Sequence, residues 1–177
     1  YIDYQIENSE NKITIATTRP ETMMGDTAVA VNPKDKRYTD LIGKGVKIPI
    51  LNRTVKIIAD RYADPDQGSG AVKITPAHDF NDYEVGKGNK LVLINIFEKN
   101  GKINANGIKE FIGLDRFEAR KLLIRKLKEN GSLVKIENIK NSIISKRVNL
   151  KYEIIPGVIE INMRSIPIKN AKANLNF

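Results

Sequence analysis

The chain has no cysteine, no tryptophan and a single histidine, His78, among 177 residues. Those absences exclude zinc fingers, iron–sulfur sites, cysteine nucleophiles and disulfide frameworks, each of which needs several thiols or imidazoles. Any metal would have to be held by oxygen ligands alone, and neither a metal nor another cofactor is expected. No apolar run approaches the ~18 residues of a membrane span, so no membrane partner is expected. Phosphate-binding loops of the GxxxxGK[ST] or GxGxxG type are missing, which argues against nucleoside triphosphate and dinucleotide chemistry. A Ser–His–Asp arrangement would have to use His78, and no serine lies in a G-x-S-x-G elbow; Gly68-Ser69-Gly70 lacks the spacing. His78 reads most simply as a turn residue hydrogen-bonded to backbone.

What is present describes a globular domain: 41% of the residues are apolar and 29% charged. The length suits one domain with a sizeable core. The net charge is +9, and it is unevenly spread: residues 1–90 hold 13 basic and 13 acidic side chains, residues 91–177 hold 17 and 8. That split has two readings, a site in the neutral half with a polyanion-facing surface in the basic half, or simply a lysine- and asparagine-heavy genome. Because the chain starts at Tyr1 with no initiator methionine and no targeting signal, it is expected to be part of a longer cytoplasmic protein.

Short β-branched or aromatic segments dominate. Tyr1–Ile6 and Lys12–Thr17 flank Asn8-Ser9-Glu10-Asn11 and predict a hairpin. Further strands are expected at Thr27–Val31, Val46–Ile50, Thr54–Ile58, Ala71–Thr75, Leu91–Phe97 and Ser132–Glu137. Two helices are predicted. One follows Pro76, from about Asp79 to Val85, with carboxylates in its first turn. The other is capped by Asp115 with Glu118 three residues on, buries Phe117, Leu123, Ile124 and Leu127, and stops at Asn130-Gly131. Along it Lys121, Arg125 and Lys128 form a basic stripe, ordinarily a solvated face. The sum predicts a β-rich fold with a closed or nearly closed barrel-like core and helical insertions. It is read as a single domain over 1–177, with the barrel and helices in 1–138 and a returning arm in 139–177.

Two polar clusters stand out. In Thr17-Thr18-Arg19-Pro20-Glu21-Thr22 a strand ends in hydroxyls and an arginine before a proline that cannot continue the ladder. In the run from Gly68 to Glu84 a glycine turn feeds a strand carrying Lys73 and Thr75, and a proline then leads into a helix with Asp79 and Asp82. Those two carboxylates are three apart and share a helix face. They either bind a cationic amine and a hydroxyl, or serve as a helix cap and a surface acid.

These stretches resemble the editing domain of valyl-tRNA synthetases, within the class I Val/Ile/Leu group. The likeness is carried by Ala16-Thr17-Thr18-Arg19-Pro20-Glu21-Thr22-Met23-Met24-Gly25-Asp26-Thr27 and its continuation to Pro33, and by Gly68 to Gly86. It is strong over about 12–95, weaker to about 135 and not evident in 136–177. The leucyl and isoleucyl branches, the alternatives, differ around Lys73-Ile74-Thr75 and His78. This chain departs from the valyl pattern at Gln67, where the family often has an apolar or aromatic residue, and at Ser69. It has no H-I-G-H or K-M-S-K-S signature, so amino-acid activation is not expected of it.

The resemblance implies an aminoacyl-tRNA ester hydrolase acting on mischarged Thr-tRNA(Val). Asp79 would hold the substrate ammonium, and Asp82 with Lys73 the threonine hydroxyl. Thr17 and Thr18, with their backbone amides, would line the ester and terminal adenosine and donate to the developing oxyanion; Arg19, Thr22 and Thr75 would be pocket contacts. No residue stands out as a general base, so a positioned water is expected to attack. The acceptor end of tRNA(Val) would run over Lys121, Arg125 and Lys128, the remainder of a synthetase would be the protein partner, and a monomer is expected. The alternative function is a tRNA-binding module without catalysis.

Overall fold

A computed structural model describes residues 1–51, 53–138, 149–155 and 158–164. They group into two units, 1–136 and 137–177. In the first, six strands form one sheet: β1 (Ile2–Ile6), β2 (Lys12–Ile15), β3 (Ala28–Val31), β4 (Gly45–Ile48), β5 (Arg53–Ala59) and β6 (Ala71–Ile74). Their order is β2-β1-β4-β5-β3-β6, antiparallel throughout except for the parallel pair β3–β5. The two terminal strands, β2 and β6, come back into contact, so the sheet is a nearly closed barrel, as the sequence predicted. Two helices are attached, α1 (Phe80–Gly88) and α2 (Arg116–Glu129).

Period-two patterning sets the inside. Ile2, Tyr4 and Ile6 of β1 are buried while Asp3 and Gln5 are not. Central β3 is buried on both faces: Val29 and Val31 join the barrel core, whereas Ala28 and Ala30 pack with Ile74 and Val85 beneath α1. Gly86 of α1 lies against the turn that precedes the helix: a Cβ there would sit 2.7 Å from the Pro76 ring.

Four expectations are corrected. Leu91–Phe97 is not a strand: its backbone is held by side chains, with Ile96 N–H donating to His78 Nε2 (3.0 Å) and the amides of Asn104 and Asn106 donating to Asn95 O (3.0 and 2.7 Å). Only Phe97 makes a ladder contact there, an isolated bridge to Ile103. Ser132–Glu137 likewise meets the start of β1 at one bridge, Ile2 to Leu133. β4 stops at Ile48, and Ile50 beyond it turns into the left-handed region at φ 68°. Finally, Phe117 does not join the core of α2. It is 53% exposed, and Ala119, Leu123 and Leu127 are the helix's buried residues. The capping box of Asp115 and Glu118 forms as predicted.

In the second unit β7 (Asn149–Ile155) and β8 (Val158–Arg164) pair as an antiparallel hairpin, where the sequence had suggested no element. The rest of the expected returning arm lies outside the described residues.

Candidate active site

The near-closure of the barrel brings the two polar clusters together. After β2, the Thr17–Arg19 segment leads into a 3₁₀ turn, Pro20–Gly25, which proline starts well because its fixed φ suits a helical first position. After β6, Thr75 and Pro76 turn the chain into α1. Arg19 bridges the clusters, its guanidinium donating to His78 O (3.1 Å) and to Asp79 Oδ2 (2.5 Å). The glycine turn also closes the seam. Gly68 has φ +59°, and a side chain there would strike Ala16 Cβ at 2.6 Å. Tyr38 donates to Ser69 O (2.7 Å), and Arg37, paired with Asp35, donates to Pro65 O (2.7 Å).

The two helix carboxylates differ in setting. Asp79 is the N-cap of α1: Oδ1 accepts from the amides of Asn81 (2.9 Å) and Asp82 (3.3 Å), while Oδ2 faces Arg19. Both oxygens therefore have partners, and the cap role envisaged from spacing is realised. Asp82 is only 6% exposed. Its Oδ2 accepts from Thr75 N–H (2.8 Å), and no hydrogen bond reaches its other oxygen among the described residues. Burial raises its pKa to about 6, with the Asp79 charge adding to the effect and the Thr75 amide opposing it.

Lys73 is not at the surface of this site. Its ammonium is enclosed behind it, donating to Thr22 Oγ1 (2.7 Å), to Asp26 Oδ1 (3.1 Å) and to Thr75 Oγ1. Thr75 Oγ1 in turn donates to Asp26 Oδ1 (2.7 Å), and Tyr4 OH to Asp26 Oδ2 (2.7 Å). Thr22 donates to Arg19 O (3.0 Å). Burial pushes the Asp26 carboxyl up from its usual range, and Lys73, Thr75 and Tyr4 pull it back. Of the residues named from sequence, the fold thus gathers Arg19, Asp79 and Asp82 with Thr17, at the seam, and Lys73, Thr22 and Thr75 in a buried layer beneath. Thr18 is exposed beside Arg19, and Thr17 Oγ1 accepts from Arg19 N–H (3.1 Å). Lys121, Arg125 and Lys128 are exposed on α2.

The His78 imidazole is tied up by packing and a backbone bond. Nε2 accepts a backbone hydrogen bond, the ring packs edge-on to Phe97 at 4.9 Å, and burial with the nearby Lys73 and Arg19 charges lowers its pKa to about 4. It is neutral at pH 7.

Three contributors escaped the sequence reading. Asp26 anchors the buried network. Glu21 is buried against Arg120 of α2, which donates Nε to Oε2 (2.7 Å) and Nη2 to Oε1 (2.6 Å), tying the 3₁₀ turn to a helix 99 residues away. Tyr62 lies near the acids of α1, and burial, with the Asp82 and Asp79 charges, pushes its phenol up to about 12. The one available signal was Asp26, a carboxylate set against the apolar run Ala28–Val31.

No protein-family model matches the chain. Individual proteins do. The valine–tRNA ligase of Pelagibacter ubique is 64% identical over 143 residues, 81% of this chain and 16% of that protein. The Thermotoga maritima valine–tRNA ligase is 50% identical over the same coverage. The chain is homologous to a segment of valine–tRNA ligase. It spans about 16% of the length of those curated relatives. Solved structures agree on the fold. The CP1 domain of the leucyl-tRNA synthetase GlLeuRS superposes with a TM-score of 0.58 at 14% identity, covering 72% of this chain and 84% of that one. The Agrobacterium radiobacter K84 AgnB2 leucyl-tRNA synthetase, solved as a ternary complex with tRNA and LeuAMS, gives 0.57 at 24% identity, covering 73% of this chain and 18% of that one. The architecture is therefore shared with these leucyl-tRNA synthetase structures, and the sequence kinship is to valine–tRNA ligase. Among the described residues no helix is long and apolar enough to cross a membrane.

Proposed function

We propose that this segment of valine–tRNA ligase hydrolyses the aminoacyl ester of Thr-tRNA(Val), releasing threonine and tRNA. The need for such a step is physical. A pocket shaped for valine cannot strongly exclude an isostere that only adds a hydroxyl, and valyl-tRNA synthetases are themselves the standard example, at roughly 10²-fold. A second pocket that offers a buried acceptor selects the other way, since valine leaves that acceptor without a partner.

The observation that carries this reading is Asp82, a nearly buried carboxylate three residues from Asp79, one of whose oxygens meets no protein donor among the described residues. In this reading Asp82 accepts from the threonine hydroxyl. The substrate ammonium takes the Asp79 oxygen that Arg19 holds, and Arg19 is freed to turn toward the nucleotide. The exposed Thr18 hydroxyl, with the backbone of Thr17 and Thr18, faces the ester and supports the developing oxyanion. Water forms the new bond to the acyl carbon, the ester C–O bond breaks, and the proton ends on the ribose oxygen. Rate comes from orientation rather than from a protein nucleophile. Lys73, enclosed by Thr22, Thr75 and Asp26, acts as a positioning residue. The basic face Lys121, Arg125 and Lys128 tracks the acceptor-end phosphates. The remainder of the synthetase is the protein partner, and the segment acts as a monomer.

The test is deacylation of Thr-tRNA(Val) and Val-tRNA(Val) by the 177-residue chain. Loss of threonine alone, abolished by Asp79→Ala and by Asp82→Ala, is expected; equal cleavage of both esters would sink the selectivity. Because both Asp79 oxygens already have partners, a tRNA-binding module without catalysis is the second reading. It would show as salt-dependent tRNA binding, no hydrolysis and no effect of either substitution.

A further inference from the structure

The first turns of α2 hold an aromatic ring that no feature of the fold requires. Phe117 is 53% exposed in a helix whose buried positions are Ala119, Leu123 and Leu127. A single exposed apolar residue is unremarkable, but this one is set in a defined cationic frame. The Arg116 guanidinium lies 4.9 Å from the ring centroid and that of Arg120 5.6 Å. Arg120 is fixed by its bidentate pair with Glu21, whereas Arg116 has no carboxylate within ion-pair distance among the described residues. From Phe117 the spacing of 4, 4 and 3 puts Lys121, Arg125 and Lys128 on the same exposed face. The helix as a whole carries six basic and two acidic side chains.

We propose that Phe117 is a stacking platform for an unpaired base of single-stranded RNA, with the lysine and arginine row of α2 taking the adjoining phosphates. This deepens the hydrolase reading and rests on it for the identity of the RNA, the single-stranded acceptor end. Unstacked bases are recognised by aromatic faces flanked by cations, because every base offers a π-face and every linkage a negative charge. The arrangement fits in detail. Arg120, held by Glu21, backs the ring. The unanchored Arg116 swings aside to admit a base and then meets its phosphate. Glu21 belongs to the turn Pro20–Gly25 that directly follows Arg19, so one ion pair ties the platform to the site. A ring whose function was to cover a protein partner would instead be expected among apolar neighbours. On this face its neighbours at helical spacing are charged.

The experiment is a fluorescence-anisotropy titration of the 177-residue chain with a labelled single-stranded RNA octamer ending in CCA, across a salt series. Phe117→Leu keeps the apolar volume and removes the π-face; binding is expected to weaken by roughly fivefold or more, with the slope of log K against log salt unchanged. Phe117→Trp should bind at least as well as the parent. Lys121→Gln or Lys128→Gln should lower the salt slope by about 1 instead. Phe117 is solvent-exposed, so thermal melts of the variants should match the parent and certify folding. Equal affinity of the Phe117→Leu and parent chains overturns the proposal. So does an equal loss toward a blunt-ended RNA duplex of two strands, which has no unpaired base. The titration needs no turnover: failure to hydrolyse Thr-tRNA(Val) would remove the hydrolase reading and leave the stacking result standing on binding alone.

Discussion

Asp82→Asn separates the energetic cost of the site from its chemistry. The asparagine retains an oxygen for the Thr75 amide, 2.8 Å from Asp82 Oδ2, removes the charge and puts an NH2 donor in place of the second oxygen. Burial holds the carboxyl at a pKa of about 6, against 3.8 ordinarily. The sign follows directly. Between those two values the folded chain binds a proton that the unfolded chain does not, so this group's contribution falls as pH rises, and its full penalty is reached above about pH 6. The difference corresponds to roughly 3 kcal/mol, an upper figure. Replacing a charged acceptor by a neutral one at Thr75 returns about 1 kcal/mol of that. The Asn variant should therefore be more stable than the parent by about 1–2 kcal/mol at pH 7.5, and that advantage should vanish or reverse near pH 4. Urea denaturation at the two pH values measures it. In the same variant, hydrolysis of Thr-tRNA(Val) should fall by at least tenfold, as expected where a strained group is retained for function. A stability difference between variant and parent that stays flat from pH 4 to 7.5 would refute the reasoning, because it would mean that Asp82 carries no burial penalty.

Two further outcomes follow from the packing. Glu21→Gln breaks the pair with Arg120 and leaves a part-buried guanidinium with one fewer acceptor; a loss of about 2–3 kcal/mol is expected in denaturant melts, and Arg120→Lys should not preserve the parent stability because an ammonium cannot form the two parallel bonds. His78, with its pKa lowered to about 4 by burial, should show no imidazole titration by NMR between pH 5.5 and 8, and the pH profile of hydrolysis should carry no inflection from it.

Much of this architecture was legible in local pattern. Period-two alternation in Ile2–Ile6 and Lys12–Ile15 and the capping box at Asp115 report backbone preferences that act over a few residues, and each formed where expected. The two polar clusters were equally plain, because a proline after a strand and paired acids after a proline are short-range signals. Leu91–Phe97 misled for the same reason. It has strand composition, but it pairs with side chains of His78, Asn104 and Asn106 that sequence does not place beside it. Phe117 has the spacing of a core residue and lies outside the stripe that α2 buries, since the direction from which the barrel is approached decides which stripe is covered.

By itself, then, the amino-acid order determined the six barrel strands, the two capped helices, the lack of any thiol and the two polar clusters. Tertiary structure alone decided their partners and their solvation. Bringing β2 against β6 put Arg19 on Asp79. Turning Lys73 inward gave it Asp26 as a partner rather than Asp79 or Asp82, and burying Asp82 shifted its proton affinity. The reason is that charge, solvation and hydrogen-bond partnership depend on distances through space. Residues 47 and 60 apart along the chain, Asp26 with Lys73 and Arg19 with Asp79, acquire those distances only when the barrel closes.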